Sequence, residues 1–82
     1  MDELADAAAV EAVLAGDVEA FAGLVERWQV PLYRLALRYT AGREEAEDLT
    51  QEIFLHAFRS LARWRREARF STWLFALALN LC

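Results

Sequence analysis

The sequence predicts an all-α fold, a compact bundle of three to four helices, and three observations predict it. Apolar residues recur at spacings of three and four through most of the chain. One Pro and three Gly leave little turn-forming material for a sheet of many short strands. Hydrophobic residues reach 57% against 27% charged, the composition of a chain that folds rather than one that stays disordered. At 82 residues there is room for one domain, residues 1–82, with a modest core and no deep cleft between lobes. Residues 1–5 precede the first helix and are expected to be flexible.

The first helix is expected from about Asp6 to Ala15, with Val10, Val13 and Leu14 on one face and Gly16 as its stop. Asp17 is a good N-cap for the second helix. That helix carries Phe21, Leu24, Val25, Trp28, Leu32, Leu35, Ala36 and Tyr39 as one stripe, and the stripe passes Pro31 without losing phase. One long helix bent near Trp28–Pro31 therefore fits better than two. Thr40-Ala41-Gly42 ends it. The third helix is expected from about Glu44 to Trp64, with Ala46, Leu49, Ile53, Ala57, Leu61 and Trp64 inward and Phe54 and Phe58 beside them. Its other face carries Glu45, Asp48, Glu52, His56 and Arg59. A connector, residues 65–69, leads to a fourth helix that starts around Phe70–Thr72 and reaches Cys82 with no stop signal. An apolar helix that ends this way reads as part of a longer protein, or as a surface that a partner covers.

Several function classes are excluded. The longest uncharged stretch, Phe70 to Cys82, falls short of the ~20 residues that span a bilayer. The acidic N-terminus is unlike a secretion signal, so the chain reads as cytoplasmic and not inserted in a membrane. The lone Cys82 has no disulfide partner within the chain. His56 is the sole histidine, mid-helix on the polar side, and reads as a plain surface residue; no second His or Cys stands at ligand spacing, so neither metal nor cofactor is expected. With no phosphate-cradling Gly loop and no nucleophile paired with a base, the chain is not expected to be an enzyme.

The net charge of −4 hides an alternating pattern. Met1 to Glu26 holds seven acids and no base, Arg27 to Arg43 four Arg and no acid, Glu44 to Glu52 five acids and no base, and Ile53 to Cys82 five Arg against Glu67. Salt screens charges more than ~8–10 Å apart, so local potential outweighs the total and overall acidity does not exclude nucleic acid. Between Phe58 and Trp73 lie five Arg and four aromatics, namely Phe58, Trp64, Phe70 and Trp73. Arg for phosphates and flat rings for unpaired bases is what a single strand asks of its binder. The same aromatics also fit a helical core, and an all-Arg basic set also fits a GC-rich genome.

The run 46–54, Ala-Glu-Asp-Leu-Thr-Gln-Glu-Ile-Phe, then Phe58-Arg59-Ser60-Leu61, Phe70-Ser71-Thr72-Trp73-Leu74 and Asn80, resembles region 2 of the extracytoplasmic-function sigma factors. These are bacterial RNA polymerase specificity subunits of the sigma-70 type. Asp17 to Phe21 and Pro31 to Arg38 fit that family's earlier helices, so the resemblance spans roughly Val10 to Cys82. It implies a transcription initiation role in which the helix bearing Asp48, Gln51 and Glu52 docks on the clamp coiled coil of the polymerase β′ subunit. Leu49 matches the motif but sits on the core stripe and is expected to pack. It also implies that the loop and the start of the last helix bind the promoter minus-ten element as a melted non-template strand, with one base flipped into a loop pocket. The matching residues are Arg63, Trp64, Arg65, Arg66, Arg69, Phe70, Ser71, Thr72, Trp73 and Asn80. An anti-sigma factor is a further implied partner, covering the docking surface and the apolar last helix.

Two departures from the family pattern stand out. Ala76 follows Phe75 where an Arg is usual, which removes a phosphate contact, and region 4 and its linker are absent from the sequence. Two other readings follow from the residues alone. One is a non-catalytic helical protein-interaction module with no DNA role. The other is a helix-turn-helix regulator, for which the 70–82 helix is too apolar.

Overall fold

The computed structural model describes residues 2–82, with side chains from Glu3 onward. The chain forms four helices: α1 (Asp2–Leu14), α2 (Phe21–Leu37), α3 (Arg43–Arg59) and α4 (Phe70–Leu81). Single 3-10 turns at Val18–Ala20 and Leu61–Arg63 precede α2 and follow α3. No strand occurs among the described residues. The all-α bundle expected from the periodicity is the fold observed. The Cα radius of gyration is 12.3 Å, close to the ~12 Å of a compact chain of this length.

α1 begins at Asp2 rather than Asp6. The flexibility expected of residues 1–5 falls in part on Met1, which lies outside the described residues. The helix stops as expected at Gly16, whose φ of +114° suits a residue without a Cβ. Gly16 N–H bonds to the Val13 carbonyl at 3.0 Å and Asp17 N–H to that of Ala12 at 2.9 Å, the paired closure of a helix end in the left-handed conformation. Asp17 does not cap α2 through its side chain. It opens the intervening 3-10 turn, where its carbonyl accepts from Ala20 N–H at 3.1 Å.

α2 is one helix with Pro31 inside it, as its unbroken stripe requires. It packs most extensively against α3. The core comprises Val10 and Val13 of α1, Leu24 and Leu32 of α2, Ile53, Phe54 and Ala57 of α3, Leu61 of the turn, and Phe70, Leu74 and Ala78 of α4. Ala36, Ala46, Ala57 and Ala78 are fully buried, and such small residues let neighbouring helices approach closely.

α3 ends at Arg59, five residues before the expected Trp64. Ser60 leaves helical geometry at φ −109°, ψ 15°, and its hydroxyl donates to the His56 carbonyl at 2.7 Å. The 3-10 turn that follows still presents Leu61 to the core, so the apolar spacing outlives the helix. Two other expected core residues face solvent: Leu14 lies past the packed part of α1, and Tyr39 lies beyond the end of α2. Thr50 is buried instead, its hydroxyl donating to the Ala46 carbonyl at 2.7 Å.

The buried carboxylate of Asp6, 2% exposed, has no signature in the local sequence pattern. It accepts a charge-assisted hydrogen bond from Arg27 and the Trp28 indole N–H at 3.1 and 3.2 Å, tying α1 to α2. A carboxylate survives burial only when so partnered. Asp6→Ala is expected to lower stability by about 2 kcal/mol, and Asp6→Asn by less because its amide oxygen still accepts from Trp28. Urea midpoints of the two variants and the parent check this ordering.

Candidate protein-docking and nucleic-acid interfaces

Asp48, Gln51 and Glu52 share one exposed face in the first half of α3, because residues three and four apart lie side by side on a helix. Glu44 and Glu45 occupy the first turn of the same helix, where negative charge also favours the helix dipole. Gln51 stands between two hollows that flank α3. One, of about 510 Å³, lies against α2 and is bounded by Gln29, Val30, Tyr33, Arg43, Glu47 and Thr50. The other, of about 540 Å³ and almost wholly apolar, runs along Val18, Phe21, Val25, Phe54, Leu55 and Phe58. Leu49 is half-buried against the core, as its place on the stripe requires.

The connector after α3 is ordered by its own aromatics. Trp64 donates its indole N–H to the Ala68 carbonyl at 3.0 Å, closing the loop over four residues. Its ring meets Phe70 edge-on, with centroids 5.6 Å apart. The Arg66 guanidinium lies 5.5 Å from the Trp64 ring centroid and bonds Glu11 of α1 at 2.6 Å. Arg66 has φ +67°, a left-handed conformation that costs a side-chain-bearing residue about 1 kcal/mol or more. The loop's contacts hold it there. Arg69 approaches Glu3 at 3.6 Å.

Arg63, Arg65, Arg66 and Arg69 are all exposed, with Thr72 and Asn80. Trp64, Ser71 and Trp73 are half-buried. Phe70 differs from its expected place on the nucleic-acid face: it is 1% exposed and belongs to the core. It packs against Trp64 on one side and Trp73 on the other, at centroid distances of 5.6 Å each. Its part is to hold these two rings in place.

A cleft of about 330 Å³ separates the end of α3 from α4 and brings Arg63, Trp73 and Asn80 together. Sequence reasoning had these three as separate pieces and missed other wall residues, among them His56 and Ser60. The signal was present. Residues 56, 60 and 63 follow helical spacing, as do 73, 76 and 80, so each set lines one wall. Among the described residues no cluster of His, Cys, Asp and Glu could hold a metal. Burial pushes the Cys82 thiol up from its ordinary value, which keeps it a poor nucleophile at neutral pH. No helix among the described residues is long and apolar enough to cross a membrane.

Residues 24–82 match the family model of sigma-70 region 2. The chain is 42% identical over 79 residues to an extracytoplasmic-function RNA polymerase sigma-E factor of Haemophilus influenzae, a match covering 96% of this chain and 41% of the relative. It is 39% identical over 71 residues to the RNA polymerase sigma-H factor of Pseudomonas aeruginosa, covering 87% and 37%. The sigma factor SigW of Bacillus subtilis is 36% identical over 72 residues, covering 88% and 38%. The chain thus spans about two fifths of the length of these relatives.

The two roles available to the loop aromatics and arginines separate by mutation. Phe70→Ala is expected to cost roughly 3–5 kcal/mol, as for other buried aromatic truncations. Arg69→Ala, at an exposed ion pair, is expected to cost under about 1 kcal/mol. Thermal or urea unfolding of both variants checks the contrast.

Proposed function

The chain belongs to the sigma-70 region 2 family, and from that premise we propose that residues 1–82 are the region 2 domain of a bacterial transcription initiation factor of the extracytoplasmic-function kind. Acting in the cytoplasm, it docks on core RNA polymerase through Asp48, Gln51 and Glu52. It recognises and melts the promoter minus-ten element through Arg63, Trp64, Arg65, Arg66, Arg69, Ser71, Thr72, Trp73 and Asn80. Phe70 serves that surface from beneath.

One observation carries this reading: two chemically opposite surfaces lie along one rigid helix and its continuation. The acidic face runs from Asp48 to Glu52, Arg59 closes α3, and the arginines assigned to the strand begin at Arg63, past the end of the helix. From Glu52, the last of the docking residues, the seven residues to the end of α3 rise about 10 Å, and the turn that carries Arg63 lies beyond them, so the two surfaces stand about a screening length of ~8–10 Å or more apart. Each surface can therefore keep its own sign of potential. An acidic helix face suits the clamp coiled coil of the β′ subunit if that coil is basic, where charge complementarity steers and orients docking. Arginines beside half-buried indoles suit a melted strand, with guanidinium groups on phosphates and rings on bases. Stacking at roughly 1–3 kcal/mol per base is on the scale of the few kcal/mol needed to unstack and extrude one. An anti-sigma factor is a fitting regulator because it would cover the hollows on either side of Gln51 and the apolar α4.

Binding to a β′ clamp coiled-coil fragment tests the docking half. The parent is expected to bind, and Asp48→Arg/Glu52→Arg to lose roughly tenfold or more. A folded parent that fails to bind overturns the docking face and favours a protein-interaction module with a different partner. Salt titration of single-stranded DNA binding tests the other half. Each phosphate contact contributes about −0.7 to the slope of log K against log salt. Arg63→Ala is expected to flatten the slope by about that amount, and binding insensitive to salt overturns the phosphate role.

A further inference from the structure

Two of the loop's arginines already hold anions of the protein's own. α1 packs against the turn after α3 and against α4, and from there its exposed acids reach the loop that joins them. Glu11 accepts a hydrogen bond from the Arg66 guanidinium at 2.6 Å, and Glu3 lies 3.6 Å from Arg69. With Arg63, Arg65 and the loop's own Glu67, three carboxylates stand against four guanidinium groups, all of them exposed. Ion pairs so open to water add little to stability, so the fold has small need of these two. The backbone of Arg66 is left-handed at φ +67°, where a glycine would sit without strain. A side chain kept at such a position marks a place where that side chain is used.

We infer that the acids of α1 are placeholders for the DNA strand: Glu11 sits where a strand phosphate binds Arg66, Glu3 sits near where a second approaches Arg69, and the strand displaces both. The inference rests on the proposed function for the identity of the ligand. It adds a helix that competes with the strand from within the domain. A guanidinium fork takes a carboxylate and a phosphate with the same geometry, so the two anions exclude each other at Arg66. A small free anion gains nothing by replacing Glu11, because it offers the fork no more than the carboxylate does. A strand gains, because it meets several arginines and rings at once and releases condensed counterions. α1 thus lowers the affinity for every anion and leaves a net gain to the strand alone.

The experiment measures anisotropy of a short fluorescent single-stranded DNA of mixed sequence at about 0.15 M salt, where charges beyond ~8 Å are screened. Glu11→Gln is expected to bind roughly two- to fivefold tighter than the parent, the range set by an exposed ion pair. Glu3→Gln is expected to shift the same way by less, in keeping with its longer contact. Glu44→Gln removes the same charge at the far end of α3, which rises about 22 Å from there to its last residue, and is expected to leave the affinity unchanged. In an Arg66→Gln background the gain from Glu11→Gln is expected to vanish, because no guanidinium remains for the acid to occupy. A carboxylate that only positions the loop predicts the opposite sign, since its removal would loosen Arg66 and weaken binding. Weaker binding by Glu11→Gln, an equal gain in Glu44→Gln, or a gain that persists without Arg66 overturns the inference and leaves the proposed function standing. Folded parent and Glu11→Gln chains that both fail to bind the strand overturn both.

Discussion

The contact on which the proposed strand-binding surface depends is the buried ring of Phe70. It lies between Trp64 and Trp73, so one core residue fixes both the loop before α4 and the first turn of α4 itself. The loop 64–69 has no regular backbone pairing. Its order comes from the Trp64 ring seated on Phe70, the indole N–H closed onto Ala68, and the Arg66 guanidinium laid near the Trp64 ring. Removing Phe70 would release all three contacts together. A loop anchored to a core in this way presents its arginines at low entropic cost, because the ordering is complete before a ligand arrives.

A second constraint is the carboxylate of Asp6. Burying an acid in a domain with so small a core is unfavourable unless it is fully partnered, and α2 supplies both partners from adjacent positions, Arg27 and Trp28. The pair fixes the height of α1 on α2. That height places Glu11 beside Arg66 and Glu3 near Arg69. A polar contact in the second turn of α1 thereby sets the surroundings of a loop more than fifty residues away in sequence.

The helices, the passage of α2 through Pro31 and most of the core were legible because a 3.6-residue period records which side of a helix is covered. The period does not record how far the covering neighbour extends, so Leu14 and Tyr39 satisfied the pattern and still face water. Nor does it mark where a helix becomes a 3-10 turn when the next apolar residue keeps its direction, as Leu61 does after Ser60. Asp6 was illegible for a different reason. Its partners stand 21 and 22 residues on, and no local spacing announces them. Among the proposed interface residues, the exposed acids and arginines could be read from helical faces and charge runs. The aromatic set could not be divided, because a ring that stacks on a base and a ring that supports it have the same signature. Burial separates Phe70 from its neighbours. The cleft needed the fold, since its two walls come from helical runs that the loop separates.

The ion pairs of the loop bear on whether its arginines are available at all. Arg66 and Glu11 are paired at 2.6 Å with side chains 48% and 62% exposed, and Arg69 and Glu3 approach at 3.6 Å with side chains 72% and 55% exposed. Pairs this open to solvent contribute at most about 1 kcal/mol. A phosphate offers the same guanidinium fork a ligand of equal geometry, and its binding also releases condensed counterions, which a fixed carboxylate does not. The exchange of Glu11 for a phosphate on Arg66 therefore runs at little cost. What survives the exchange is the loop closure itself, the Trp64 indole N–H on the Ala68 carbonyl and the Trp64 ring on Phe70. The acids of α1 can thus help to position the loop in the free domain without closing it to a strand.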